Sequence, residues 1–356
     1  MSKQTALYQN HLKLGGKIVD FNGWSLPLNY GSQITEHKSV REKVGIFDVS
    51  HMAPVNISGA EAHKFMQYLL ANNIDKIAPG KAIYGCMLNT DGKIVDDLIT
   101  YWLAENNFRV VFNAGCYEKD LAWVTEQAQN FDVIIDDISQ DTAMIALQGP
   151  EAVEIVKQVC DNAADLLALK PFECVEYNGG LIGRTGYTGE DGFEFIIPNA
   201  QASDLFDKLV AAGSTPCGLG ARDSLRLEAG MKLYGNDMDL DTTPFDAALG
   251  WTVALEPSSR DFIGRKALEQ IKQQPTTQKM VGLTLLDKGV IRPGQEVITE
   301  FGTGVVTSGI FSPTLNKSIA YARVPAGKYT TCQINIRNKL MPANVGLSSF
   351  YKRPSN

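Results

Sequence analysis

The sequence predicts an α+β protein that ends in a small β-domain, and three observations carry that expectation. Strand-like and helix-like segments alternate through the first two thirds of the chain. A hairpin signal, Asn89-Thr-Asp-Gly92, separates two apolar runs. Beyond about residue 275 short strands alone recur, the spacing of a small all-β unit. Antiparallel strands with helices on one face satisfy the first two observations.

Each element follows from its residues. Ser58-Gly-Ala-Glu61 reads as a capping box opening a helix, with Ala62, Phe65, Met66 and Leu69 at helical spacing. Strands are expected at Ala82–Leu88, Lys93–Leu103 and Phe108–Asn113, then a helix through Leu121, Val124 and Ala128. A similar unit follows, with a strand at Ala143–Leu147 and a helix opened by Gly149-Pro150 that carries Val153, Val156 and Cys160. Phe193–Ile197 is a strand, and Leu205, Phe206, Leu209 and Val210 lie on a helix closed by Gly213. The last strands are Met280–Leu286, Gly304–Ser308, Ser318–Arg323 and Thr331–Arg337, reached through the linker Gln273–Thr277.

Composition bounds the function. The 356 residues are 44% hydrophobic and 21% charged, enough for two or three domains with real cores. Lysine and arginine total 33 against 40 acidic residues, a net charge of −7. That field repels nucleic acid, so an anionic ligand needs a local basic patch. Six scattered cysteines form no C-x-x-C, and four histidines show no ligand spacing, so no metal site is expected. The N-terminus lacks a secretory apolar core, and no run approaches the roughly 18 apolar residues of a membrane span. These features together place the chain in the cytoplasm.

Three segments could carry chemistry. Lys93-Ile-Val-Asp-Asp-Leu-Ile-Thr100 sets Asp96 and Asp97 on opposite faces of an apolar strand, costly unless each acid is paired or functional. Thr185-Gly-Tyr-Thr-Gly-Glu-Asp-Gly-Phe-Glu194 combines a glycine-rich turn with Glu194, whose parity is opposite to that of Phe193 and Phe195. A carboxylate so placed can accept two adjacent ring donors, although a solvated glutamate after a hairpin would look the same. Gly218–Gly230 holds Arg222 and Arg226 four apart on one helical face, suited to an anionic tail or to surface ion pairs. Ser50 and His51 are adjacent on an extended segment and diverge, and no G-x-S-x-G elbow exists, so a hydrolase triad is excluded.

Taken in order, Asp20-Phe-Asn-Gly-Trp24, Phe47-Asp-Val-Ser-His-Met52, Asp96-Asp97-Leu98, Ala146-Leu-Gln-Gly-Pro150, Gly186-Tyr-Thr-Gly-Glu190, Gly220–Gly230 and Asp261-Phe-Ile-Gly-Arg265 resemble the glycine cleavage T-protein family over nearly the whole chain. The resemblance implies three domains in a cloverleaf around a central hole: two ferredoxin-like α+β units and a C-terminal β-barrel or jelly-roll-like domain. The expected divisions are residues 1–50 with 140–272, then 51–139, then 276–356. It implies transfer of the methylene carbon from the aminomethyl-lipoyl arm of H-protein to tetrahydrofolate, giving 5,10-methylenetetrahydrofolate and ammonia. By position, Asp97 matches the catalytic aspartate, Glu194 the carboxylate that holds the pterin, and Arg222 a folate-contacting arginine. Tyr84, Asn113, Tyr187, Arg226, Tyr234 and Trp251 fall where the family lines its pocket, and Arg292 near the carrier entrance. A folate-dependent demethylase of this fold and a non-catalytic folate-binding regulator are the competing readings. Release of ammonia separates them.

Overall fold

Alternation along Gly192–Pro198 buries Phe193, Phe195 and Ile197 on one side, and that side is the floor of the main core. In the computed structural model, which describes residues 2–161, 163–347 and 349–353, this strand is central to a six-stranded sheet. The sheet order is Cys174–Tyr177, Gly180–Gly183, Gly192–Pro198, Thr142–Gln148, Gly45–Asp48, Thr215–Pro216. Helices Ala152–Val159 and Asn199–Ala211 cover it, contributing Ile155, Val156, Leu205, Phe206 and Leu209 to the core. Gly213 at φ +113° ends the second helix where the sequence expects it. Gly149, at φ +137°, packs against backbone around Lys43, and the first helix begins only at Ala152.

The chain divides into two compact units, residues 1–66, 74–84 and 98–223, and residues 67–73, 85–97 and 224–356. The first holds the six-stranded sheet and most of a five-stranded one, ordered Lys81–Leu88, Ile94–Ala104, Asn107–Phe112, Ala53–Ser58, Ile134–Asp137. The hairpin at residues 89–92 joins the first two of these strands, with Gly92 at φ +74°. One sequence expectation fails here. Ser58 is the last residue of a strand, opposite Asn107 and Ile134, and does not cap the helix Ala62–Leu69. Glu61 accepts instead from the Asp132 N–H and Lys64. Tertiary pairing has taken both members of the expected box.

The second unit is built on a closed barrel of Gln278–Leu285, Lys317–Pro325, Gly302–Ser312, Glu296–Thr299, Thr331–Ile336 and Lys339–Gly346. The last strand closes the barrel by pairing with the first, so Leu283 lies opposite Val345. Leu283, Val297, Ala320, Val324, Ile334 and Ala343 fill the interior. A bulge between Val306 and Ser308 breaks the alternation, and Thr307 and Ser308 both turn to polar partners.

Candidate functional site

The strand that buries Phe193 and Phe195 presents Glu194 on its other face, between Ala146 and Gly183 on the neighbouring strands. With only a methyl and a hydrogen beside it, the carboxylate is left half-buried. Its Oε2 accepts from Thr185 Oγ1 at 2.6 Å, and Thr185 Oγ1 is 2.8 Å from the Tyr101 hydroxyl, which therefore donates to it. Burial and the Glu194 charge hold the Tyr101 phenol well above its ordinary range, so it stays a donor. The relay Tyr101–Thr185–Glu194 fixes one carboxylate oxygen.

The loop from Thr185 to Gly192 is fastened at three places. The buried Gln148 carboxamide donates to Thr185 O at 3.0 Å and accepts from Thr188 Oγ1 at 2.8 Å. A Cβ on Gly186 or Gly192 would overlap that carboxamide, which explains two of the loop glycines. Arg41 donates to Thr188 O at 2.7 Å and to Glu190 at 2.8 Å, in an almost dry ion pair. Arg184 grips Asp191 through two hydrogen bonds of 3.0 and 2.5 Å. Both loop acids are thus structural, and the loop is held rigid with Tyr187 half-buried on it.

Arg222, from the helix Leu219–Ala229, lays its guanidinium 4.7 Å from the centre of the Tyr187 ring. Burial lowers its basicity, while Glu194 and Tyr187 act in the opposite sense. Glu194, Tyr187 and Arg222 are therefore one cluster in the first unit. His51 feels the same guanidinium: burial first, then Arg222, push its pKa down to about 4. Asp48, nearby, is held below the usual carboxylate range by hydrogen bonds from His11, Ser50 and Thr5 that outweigh its burial. Tyr84 and Asn113 are half-buried in the same unit, Asn113 just ahead of the short turn Ala114–Cys116.

In the second unit Asp96 and Asp97 are both buried, Asp97 at 9% exposure, as the mixed apolar faces of the strand lead one to expect. Burial, reinforced by the Asp97 charge, pushes the Cys86 thiol up. Tyr234 donates from its hydroxyl to Ile94 O at 3.2 Å. Arg226, expected in the pocket lining, is 2% exposed and donates to Asp237 at 2.8 Å, Ser308 at 2.9 Å and Met231 O at 3.2 Å. Trp251, expected in a pocket wall, is 66% exposed. Arg292 is exposed on the barrel unit, its backbone N–H donating to Gln295 Oε1 at 2.9 Å. Thr185, Tyr101 and Gln148, which hold Glu194 and its loop, carry no signal of that in the sequence beyond the glycine-rich segment that contains Thr185 and the Ala146–Pro150 stretch that contains Gln148.

A family model described as the GCVT N-terminal domain matches residues 7–257, and one described as the glycine cleavage T-protein C-terminal barrel domain matches 278–352. The chain belongs to the glycine cleavage T-protein family. It is 50% identical over 358 residues to an aminomethyltransferase of Methylococcus capsulatus, covering 100% of this chain and 99% of that one. An aminomethyltransferase of Francisella tularensis subsp. mediasiatica is 51% identical over 352 residues, 98% of each chain. The crystal structure of the glycine cleavage system aminomethyltransferase T from Bartonella henselae superimposes with a TM-score of 0.92 at 35% identity, covering 99% of both chains. As a T-protein the chain is an aminomethyltransferase of the glycine cleavage system. The closed barrel is the C-terminal domain that the family model describes.

Proposed function

We propose that this aminomethyltransferase takes its carbon from the aminomethyl-lipoyl arm of H-protein and delivers it to tetrahydrofolate. The supporting observation is Glu194 on its Thr185–Tyr101 relay, beside the Arg222–Tyr187 pair. With Oε2 fixed, the carboxylate is oriented to accept from the two adjacent donors on the edge of a pterin ring. Arg222 supplies positive charge for an anionic ligand on an acidic chain. In this reading Tyr84, Asn113, Tyr187, Tyr234 and Trp251 contribute to the folate site, while Arg226 acts through the fold. The six buried free cysteines suit a reducing compartment, and we place the chain in the cytoplasm.

The chemistry conserves every atom. Two C–N bonds form, from the carbon to N5 and N10 of the folate, as the C–S bond to the lipoyl sulfur and the C–N bond to the amine break. The two protons from the folate nitrogens end on the lipoyl thiol and on ammonia. Asp97 carries the charge for this step: a buried carboxylate can take or steer a proton and stabilise the cationic carbon intermediate. Alignment of the two reactants supplies much of the remaining rate. The test is direct: aminomethylated H-protein and tetrahydrofolate should give ammonia and methylenetetrahydrofolate in equal amounts. Folate binding without ammonia release would reduce the chain to a binding protein.

A further inference from the structure

A hydroxyl group has one proton to give, so a chain of hydroxyls has a sense. Tyr101 is fully buried, its hydroxyl lies 2.8 Å from Thr185 Oγ1, and its phenol, held well above its ordinary range by burial and the Glu194 charge, keeps its proton. Tyr101 therefore donates to Thr185, and the one proton of Thr185 goes to Glu194 Oε2 at 2.6 Å. The relay ends on a carboxylate that offers lone pairs and no proton to whatever faces it.

The surroundings hold both hydroxyls in place. Thr185 is buried, and Gln148 donates to its backbone oxygen at 3.0 Å, so its hydroxyl meets Tyr101 and Glu194 with little access to water. Gly183 stands opposite Glu194 on the neighbouring strand. A Cβ at Gly183 would lie 2.7 Å from the Tyr101 ring and 3.2 Å from each hydroxyl oxygen. The glycine gives Tyr101 the room to reach Thr185. Tyr101, Gly183, Thr185 and Glu194 all belong to the first unit.

We infer that Tyr101 and Thr185 are specificity residues: they hold Glu194 as an acceptor, so that the site takes a ring edge with two adjacent donors and rejects the same ring with an oxygen in place of its exocyclic amine. The inference rests on the proposed folate reading and adds to it the groups that choose the ring. Both act through Glu194, as positioning residues. Without Tyr101 the Thr185 proton is free to turn away, and the carboxyl can take a proton and accommodate the wrong edge. A site whose polar groups are left facing like groups rejects an analogue far more strongly than an apolar wall does.

The full-length chain is titrated by anaerobic calorimetry with tetrahydrofolate and with its lumazine analogue, which carries oxygen in place of the exocyclic amine. The natural sequence should prefer tetrahydrofolate by about a hundredfold or more. Thr185→Val should cut that ratio about tenfold, the worth of one charge-assisted hydrogen bond, and Tyr101→Phe should move it in the same direction. Thr185→Ser, which keeps the hydroxyl, should retain the original ratio. Tyr101→Phe combined with Thr185→Val should match Thr185→Val alone, because Tyr101 acts through Thr185. A ratio unmoved by Thr185→Val, equal weakening of both ligands in every variant, or additive effects in the double variant would each overturn the inference. Glu194→Ala separates it from the reading beneath. Unchanged tetrahydrofolate affinity in that variant would overturn both, whereas lost affinity beside an unmoved Thr185→Val ratio would overturn the relay alone.

Discussion

Glu194 owes its position to the parity of one strand and its orientation to one hydroxyl. Its neighbours Phe193 and Phe195 are fully buried, so the carboxylate has no other face to occupy. Glu194→Ala should leave two ring donors unpaired and cost about 1–3 kcal/mol of tetrahydrofolate binding. Unchanged affinity by calorimetry would mean that the carboxylate meets only water. Asp97→Asn preserves shape and removes charge, so turnover should fall by roughly 10²-fold or more with little change in folate affinity. Near-normal turnover would shift the role to Asp96 or to alignment. His51 gives a pH test. Its folded pKa of about 4 lies below its ordinary 6.5, so the unfolded chain binds the extra proton between those values. Stability from this group is complete above pH 6.5 and is lost as pH falls toward 4. Thermal melts across that window should show a shallower decline for His51→Asn, and an identical slope would remove His51 from the account.

At the scale of elements, the two arginines of one helix separate into different roles. Arg222 stacks on Tyr187 beside Glu194, whereas Arg226 is locked to Asp237 and Ser308 across the barrel bulge. Breaking a buried ion pair from one side typically costs about 3–5 kcal/mol, so Arg226→Met should lower Tm sharply. Arg222→Met should instead weaken folate binding with a small change in Tm. Equal losses of stability would erase the distinction. Spacing revealed the shared helix, but Asp237 and the bulge are tertiary facts that spacing does not contain. The same limit explains the failed capping box: Ser58 had a better offer from Asn107 and Ile134 in the sheet. In the barrel, Glu296–Thr299 escaped notice because it is short, and Lys339–Gly346 because Pro342 argues against a strand. Strands with clean alternation, such as Gly192–Pro198, were legible, and so was the parity that sets Glu194 opposite Phe193 and Phe195. Thr185, Tyr101 and Gln148 were not, because a hydroxyl or amide in a buried network looks in sequence like any other polar residue.

For the whole molecule, the governing quantity is a net charge of −7 on a protein proposed to meet an acidic carrier. Bulk repulsion between two acidic proteins makes encounter depend on a local basic surface. In the proposed reading the second protein delivers the one-carbon unit already activated. Arg292 is exposed on the barrel unit, and in the proposed reading it lies near the carrier's entrance, which makes it the residue to reverse. A charge at the rim of an interface acts mainly on association and its salt dependence. Arg292→Glu should therefore slow transfer from aminomethylated H-protein and flatten its response to ionic strength, with maximal turnover at saturating carrier largely preserved. Transfer from free aminomethyl-dihydrolipoamide, which has no docking surface to lose, should change far less. Equal damage with both donors would move Arg292 into the folate site or the fold. No damage with either would put the carrier's entrance elsewhere on the surface.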